Sequence, residues 1–256
     1  MKKIISIIVW IVIIAGILIL VSFMEAEHKK ATCKRFEVTI DYRDAEPLIT
    51  AEDIKKQIYL ACDTLIGKKL SDINPVHVEN MVNEIDFIEN AQVYTTLTGK
   101  MNIHVVQRKP ILRIINTANE SFYIGQTGVV MPVNPGFSSR VPVANGNIKH
   151  RYADTLNLKS LKEESLLKKL YLLASYINKN DFLKAQIEQI YVTKNYEFDL
   201  VPKVGRQLII FGDINNMEKK FDKLTVFYKQ GMNKAGWDKY KTINLKFENQ
   251  VVCSKK

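Results

Sequence analysis

Residues 36–65 read FEVTIDYRDAEPLITAEDIKKQIYLACDTL, and the hydrophobic period changes within this stretch. Phe36, Val38 and Ile40 alternate with polar residues, which is typical of a half-buried strand. After Thr50, which is suited to cap a helix, apolar residues recur at helical spacing behind an acidic first turn. The stretch therefore predicts a strand followed by an amphipathic helix.

The residues that follow add a second helix and a hairpin. Asn74-Pro75 combines a capping residue with a proline suited to the first helical position. Residues 91–97 and 101–105 alternate around a turn at residues 98–100, which predicts a β-hairpin. The predicted order is β-α-α-β-β, with both helices on one face of a three-stranded sheet.

The polar segment Gln107-Arg108-Lys109-Pro110 interrupts the pattern. Because proline cannot donate to a sheet and restricts the residue before it, we expect a domain boundary here, with residues 36–109 on one side and 110–256 on the other. The second part predicts a mixed α/β domain with an antiparallel sheet, a long helix from about Leu161, and C-terminal edge strands. The predicted fold class is α+β.

Residues 4–23 form an uncharged apolar run, which is long enough to cross a bilayer as a helix. Lys2 and Lys3 precede the run, so its short end is expected in the cytoplasm and the bulk outside. A cleaved signal peptide would have a shorter apolar region and a better cleavage site. We therefore expect a cytoplasmic tail at residues 1–3, a transmembrane helix at 4–23 and a spacer at 24–35.

The net charge of +10 is unevenly distributed. Residues 34–109 contain ten Lys or Arg and twelve Asp or Glu, whereas residues 110–256 contain 23 and 13. A basic exported face suits anionic headgroups, cell-wall polymer or an acidic partner, although a solvated surface explains it equally well. Nucleic acid is not expected as a partner outside the membrane.

Three cysteines, Cys33, Cys62 and Cys253, give an odd count without paired spacing. An odd count argues against a complete disulfide framework in an exported domain, and nothing in the sequence supports a Cys33–Cys253 bridge. We find no metalloprotease, nucleophile-elbow or phosphate-loop motif. The sequence predicts no catalytic residue, no metal site, no cofactor and no small-molecule substrate.

The chain resembles the bacterial cell-division family FtsQ/DivIB, of the Bacteroidetes type. A short basic tail and an anchor come first, and the β-α-α-β-β block that follows resembles a POTRA domain. Residues 105–110, VVQRKP, resemble the family's V-x-E-R-x-P, with Gln107 in place of Glu. Residues 242–252, TINLKFENQVV, resemble its terminal I-D-L-R-Y-x-x-Q-V-V.

The resemblance implies a non-enzymatic scaffold of the divisome, in the cytoplasmic membrane at the septum. It implies binding to FtsB and, through it, FtsL, and so support for the septal peptidoglycan synthase. In the family, the partner adds to a sheet edge at the C-terminal end of the second domain, which suits unpaired strand groups. The expected partner-binding residues are those of the matching motif, with the nearby Tyr240 added: Tyr240, Phe247, Asn249, Gln250, Val251 and Val252.

Two other functions are considered. A POTRA-bearing transport or outer-membrane assembly factor would usually carry several POTRA blocks, whereas one is apparent here. A membrane-anchored cysteine transpeptidase would need a thiolate paired with a histidine and an arginine to stabilise an oxyanion. Cys253, His104 or His150, and Arg206 could supply these groups, but Cys253 lies close to the C-terminus, where chains fray.

Overall fold

A computed structural model describes residues 10–19, 32–62, 65–96, 98–153, 156–232, 236 and 239–255. The chain divides into two compact units. Unit 1 comprises the described residues up to Asp41 together with Ile49–Gln107, and unit 2 comprises Tyr42–Leu48 and the chain from Arg108 onward. Each unit is held by its own cluster of buried apolar residues.

The predicted membrane segment, residues 4–23, lies partly outside the described residues. Its central part, residues 10–19, forms helix α1, whose large apolar side chains are exposed. Within the described ranges, no helix is both long and apolar enough to cross a membrane. The predicted tail at residues 1–3 lies outside the described residues. Residues 24–31 of the predicted spacer also lie outside them, and residues 32–35 are described.

Unit 1 follows the predicted β-α-α-β-β order, which confirms that part of the fold. Its elements are β1 (Arg35–Asp41), α2 (Ala51–Cys62), α3 (Pro75–Asn83), β2 (Ile88–Thr95) and β3 (Lys100–Gln107). A capping box begins α2, because Thr50 Oγ1 accepts from the Asp53 N–H at 3.1 Å and Asp53 Oδ2 accepts from the Thr50 N–H at 3.0 Å. The Asn74 side chain caps α3 by accepting from the Val76 N–H, and Pro75 is its first residue, as predicted.

The sheet of unit 1 has the order β1-β3-β2. The central strand β3 is parallel to β1 and antiparallel to β2. Alternate residues of β3, among them Met101, Ile103 and Val105, are buried against apolar residues of the two helices, such as Ile54 and Val82. The period of two in β3 and the helical spacing in α2 and α3 therefore meet in one core.

Unit 2 contains nine strands and three α-helices in the described residues. The strands are β4 (Pro110–Ile115), β5 (Ser121–Gly125), β6 (Val130–Pro132), β7 (Val143–Gly146), β8 (Ile187–Val192), β9 (Phe198–Pro202), β10 (Leu208–Gly212), β11 (Tyr240–Asn244) and β12 (Val252–Lys255). The helices are α4 (Leu166–Lys179), α5 (Asp181–Gln186) and α6 (Met217–Val226), and α6 continues as a π-helix, Phe227–Met232.

One nine-stranded sheet joins all these strands, in the order β12-β11-β10-β9-β8-β7-β4-β5-β6. The expectation of an antiparallel sheet is wrong for three neighbouring pairs, since β10–β11, β4–β7 and β7–β8 are parallel. Helices connect two of these pairs: α4 and α5 lie between β7 and β8, and α6 lies between β10 and β11. A helical crossover returns the chain to the same end of the sheet, which makes the joined strands parallel.

The helix expected from Leu161 begins five residues later. Leu161 follows a 3-10 turn, Leu158–Ser160, and has an extended backbone. From Leu166 onward, α4 buries Leu167, Leu170 and Ala174 in the core of unit 2. The apolar spacing was therefore interpreted correctly over α4 and extended too far toward its N-terminus.

Candidate partner-binding hairpin

The last elements of the chain form what we call the C-terminal hairpin: β11, the connecting residues 245–251, and β12. β12 pairs antiparallel with β11, with Ile243 opposite Cys253 and Asn244 opposite Val252. In the described part of the chain, no strand pairs with the other side of β12, so β12 is an edge. An edge strand presents backbone N–H and C=O groups that another strand can bind.

The two faces of the hairpin differ. Ile243 and Leu245 are fully buried, and the half-buried Cys253 and Val251 pack against the same core. Because side chains alternate along a strand, Val252 projects from the opposite face, where 39% of it is exposed. The hairpin is therefore fixed to unit 2 by one face and presents the other to solvent.

Five of the six predicted site residues lie together at one end of the hairpin. Phe247, Asn249 and Gln250 are exposed in the connection, Val251 is half-buried and Val252 begins β12. Phe247 is a large apolar side chain with 45% of its surface exposed, so it offers apolar surface that a partner could bury. The sixth residue, Tyr240, lies elsewhere.

Tyr240 lies at the opposite end of the hairpin. It pairs with Lys255, whereas Asn244 pairs with Val252, so about 13 Å of strand separates the two ends. The Tyr240 ring is half-buried and lies 5.9 Å from the Phe227 ring. Packing on the π-helix therefore accounts for Tyr240 without a partner, although a strand added along β12 would pass both ends.

Lys223 of α6 fastens the connection between the two strands. Its Nζ donates to the backbone carbonyl of Leu245 at 3.1 Å and to that of Phe247. Burial, together with the nearby charge of Lys220, lowers the pKa of Lys223. A cation that holds the carbonyls of Leu245 and Phe247, two residues apart, restrains the loop on which Phe247 is exposed.

Lys220, one turn earlier on α6, holds the start of its own helix. Its Nζ donates to the backbone carbonyl and to Oδ1 of Asp213, each at 2.8 Å. Burial alone would raise the pKa of Asp213, but the hydrogen bond and charge of Lys220 bring it below its ordinary value. This pair sets the position of α6, from which Lys223 reaches the hairpin.

A third lysine secures the other side of the connection. Lys246 Nζ forms an ion pair with both carboxylate oxygens of Glu197, at 2.7 and 2.9 Å. Its aliphatic stem passes over Gly212, where a Cβ would lie 2.9 Å from Lys246 Cγ and where φ is +79°. A glycine suits this position because a side chain would crowd Lys246 and would be strained at this positive φ.

The hypothesis of a catalytic cysteine finds no support at Cys253. Burial raises the pKa of its thiol, which is the opposite of what a nucleophilic thiolate requires. Cys33 and Cys253 are both free thiols. Among the described residues, no group of three or more His, Cys, Asp or Glu is arranged to hold a metal ion.

Residues 109–254, which include the whole C-terminal hairpin apart from the last residue of β12, match the family described as FtsQ/DivIB, C-terminal related. The match covers more than half of the chain. The chain belongs to the FtsQ/DivIB family. Residues 31–106, which include all of β1, α2, α3 and β2, match the POTRA-like domain. No curated protein matches the chain in sequence.

Membership of the FtsQ/DivIB family confirms the resemblance drawn from the sequence motifs. The two matched domains support a divisome-related role with divisome proteins as partners, in a family whose members are generally non-enzymatic scaffolds. The match does not depend on which residues of the hairpin contact a partner. Those residues remain predictions.

The family resemblance in the sequence includes Lys220 and Lys223, but sequence reasoning did not predict what Lys223 contacts. Its spacing of three from Lys220 puts both lysines on one face of α6, which could have identified them as a pair. Their acceptors, however, are the carbonyls of Leu245 and Phe247, more than twenty residues later in the chain. Only the folded sheet brings the helix and the hairpin together.

Proposed function

We propose that this protein is a single-pass membrane scaffold of the divisome that captures a strand of an FtsB- or FtsL-type partner on the open side of β12. Residues 4–23 anchor the chain with its N-terminus in the cytoplasm, and both units act outside it. Through its partner the scaffold supports the septal peptidoglycan synthase. The protein transforms no substrate itself.

The observation that supports this proposal most is the open side of β12 together with the exposure of Phe247 and Val252 beside it. A partner strand satisfies the unpaired backbone groups, and side chains on alternate positions give specificity. The basic surplus of residues 110–256 favours a partner segment that carries acidic residues.

The test replaces Val252 by aspartate in the full chain and measures capture of purified FtsB–FtsL-type partner. A charge at the start of β12, beside the added partner strand, should weaken binding by about tenfold or more, mainly through faster dissociation. The matched control is Val204→Asp, the same substitution at a valine of unit 2 that is 56% exposed and lies outside the hairpin. Circular dichroism verifies that both variants fold.

Undiminished capture by a folded Val252→Asp variant would show that the partner does not add to β12. Localisation tests the wider role, since a fluorescent fusion should gather at mid-cell in dividing cells. A fusion spread evenly over the envelope would contradict a divisome function.

A further inference from the structure

We call the end of unit 1 that contains Thr32 and the start of β1 the proximal end. Backbone hydrogen bonds define it: the Cys33 N–H donates to the Lys68 carbonyl, the Gly67 N–H to the Cys33 carbonyl, and the Lys34 N–H to the Gly99 carbonyl, each at 2.8 Å. Residues 32–34, 65–69 and 98–100 therefore lie together there. The opposite, distal end is where β1 ends and β2 begins.

The two ends of unit 1 differ in their charged residues. In the described part of unit 1, the proximal end holds five cations and two acids, and four carboxylates lie where β1 and α3 end and β2 begins, at the end where the chain continues into Arg43 and Arg108. The cations are Lys34, Arg35, Lys68, Lys69 and Lys100, set against Glu37 and Asp72; the distal carboxylates are Asp41, Glu84, Asp86 and Glu89. Ten cations against twelve acids over residues 34–109 give no hint of this separation, which the fold creates.

Large apolar side chains are also exposed at the proximal end. Leu60 is 78% exposed, Val76 59% and Ile66 43%. Leu60, Lys68 and His77 line one groove of about 510 Å³ where α2 meets the start of α3. Apolar side chains beside lysines are typical of surfaces that lie in the interfacial region of a membrane.

The number of residues between the predicted anchor and Thr32 limits how far the proximal end can lie from the membrane. Nine Cα–Cα steps lead from Phe23 to Thr32, and they span at most about 30 Å. The distal end is farther along the chain by the length of β1, about 20 Å. If residues 4–23 anchor the chain, the basic and apolar end is therefore the part of unit 1 tethered nearest to the bilayer.

We propose that the proximal end of unit 1 rests on anionic phospholipid headgroups, with Lys68 and Lys69 near the phosphates and with Leu60 and Ile66 in the interfacial layer. This inference rests on the anchor put forward under the proposed function. The proximal end combines clustered cations with exposed apolar side chains, and this combination orients unit 1 on the membrane.

The test incorporates the photo-crosslinker p-benzoylphenylalanine at position 66 of the full chain, which is reconstituted into phosphatidylcholine vesicles with or without phosphatidylglycerol. The matched control carries the crosslinker at Asn90, which is exposed at the distal end. Lipid adducts should form from position 66 about fivefold more than from position 90, and only with the anionic lipid. Molar salt should remove the difference.

Charge reversal separates attraction from mere proximity. Lys68→Glu together with Lys69→Glu should lower the adduct from position 66 by about fivefold or more. The control pair, Lys179→Glu with Lys194→Glu, changes the net charge equally at exposed positions of unit 2 and should leave the adduct unchanged. Circular dichroism verifies the fold of each variant.

The outcomes distinguish this inference from the anchor itself. If alkaline carbonate extracts the wild-type chain from vesicles, the anchor and the proposed function are both wrong. If the chain resists extraction but position 66 gives no more lipid adduct than position 90, the anchor stands and the inference is overturned. Crosslinking of position 66 to a protein in cells, without lipid adducts in vesicles, would overturn it in favour of a protein-binding surface.

Discussion

The nine-stranded sheet of unit 2 has two edges, β6 and β12, and they differ in how far other parts of the chain cover them. β6 is short, ends in Pro132, and has Val130 and Met131 buried. The segment beyond it covers its outer side, because the Val130 N–H donates to the Leu156 carbonyl at 3.1 Å and Val129 bridges to Asn157. A short covered strand with a proline is a protected edge.

β12 is only one residue longer than β6, but in the described residues it lacks both the proline and the covering segment. It contains no proline, its side chains Val252, Ser254 and Lys255 are exposed, and no described strand or loop pairs with its outer side. The same sheet thus shows that the fold can close an edge and that this one is left open. An open edge of this kind is what the proposed capture of a partner strand requires.

The largest expected effect comes from placing the same charge on the two edges. Val130→Asp buries a carboxylate at a site only 2% exposed, and we expect a loss of about 3 kcal/mol or more in the free energy of unfolding. Val252→Asp faces solvent and should cost about 1 kcal/mol or less. Urea denaturation followed by circular dichroism measures both.

Equal destabilisation by the two variants would remove the contrast between a closed and an open edge. Val204→Asp serves as the reference for an exposed valine outside both edges. Its unfolding midpoint should stay within the scatter of the wild type, since exposed substitutions seldom exceed about 0.5 kcal/mol.

A smaller effect is expected from releasing the hairpin connection. Lys223→Met keeps the length and the apolar stem but removes the two hydrogen bonds to Leu245 and Phe247, so stability should fall by about 1–2 kcal/mol. Partner capture should weaken as well, because Phe247 must then be ordered on binding. Lys219→Met, at an exposed position of the same helix, is the control.

The measurements are urea denaturation and capture of the FtsB–FtsL-type partner. Unchanged stability with unchanged capture would show that Lys223 does not restrain the connection. A stability loss without a change in capture would separate the connection from the binding edge and leave β12 alone as the binding element.

Unit 1 was predictable because its signals are local. Thr50 with Asp53 and Asn74 with Pro75 mark both helix starts within four residues of sequence, and each is observed as a cap. The alternation around residues 98–100 marks the hairpin equally locally. In this unit, the signals that specify an element lie inside it.

Unit 2 was harder because its arrangement depends on contacts distant in sequence. An antiparallel sheet was expected in this part of the chain, but β7 and β8 pair in parallel. The helices between β7 and β8 indicate this parallel pairing, because a helical crossover joins parallel strands. By contrast, the attachment of Lys246 to Glu197, 49 residues away, has no sequence signal, since exposed lysines and glutamates are common on any surface.

The smallest expected effect concerns the carboxylate of Asp199, which interacts electrostatically with Lys246 of the hairpin connection. Burial, and next the neighbouring Glu197, raise the pKa of Asp199 on β9, while Lys246 of the hairpin connection opposes them. A raised folded-state pKa means that the carboxylate is less favourable in the folded chain than in the unfolded one at neutral pH. The Asp199→Asn variant should therefore be slightly more stable there, by about 0.5 kcal/mol.

The direction of this pKa shift also determines how the stability difference between the wild type and Asp199→Asn depends on pH. As the pH falls through the raised pKa of folded Asp199 toward about 4, the ordinary value of an aspartate, the folded wild type gains its proton first and the advantage of Asp199→Asn should shrink. Below that pH both states are protonated and the two chains should be equally stable. Adding Lys246→Met should enlarge the advantage at neutral pH, because the cation that offsets the carboxylate is lost; an unchanged advantage would mean that the hairpin connection does not reach Asp199 electrostatically.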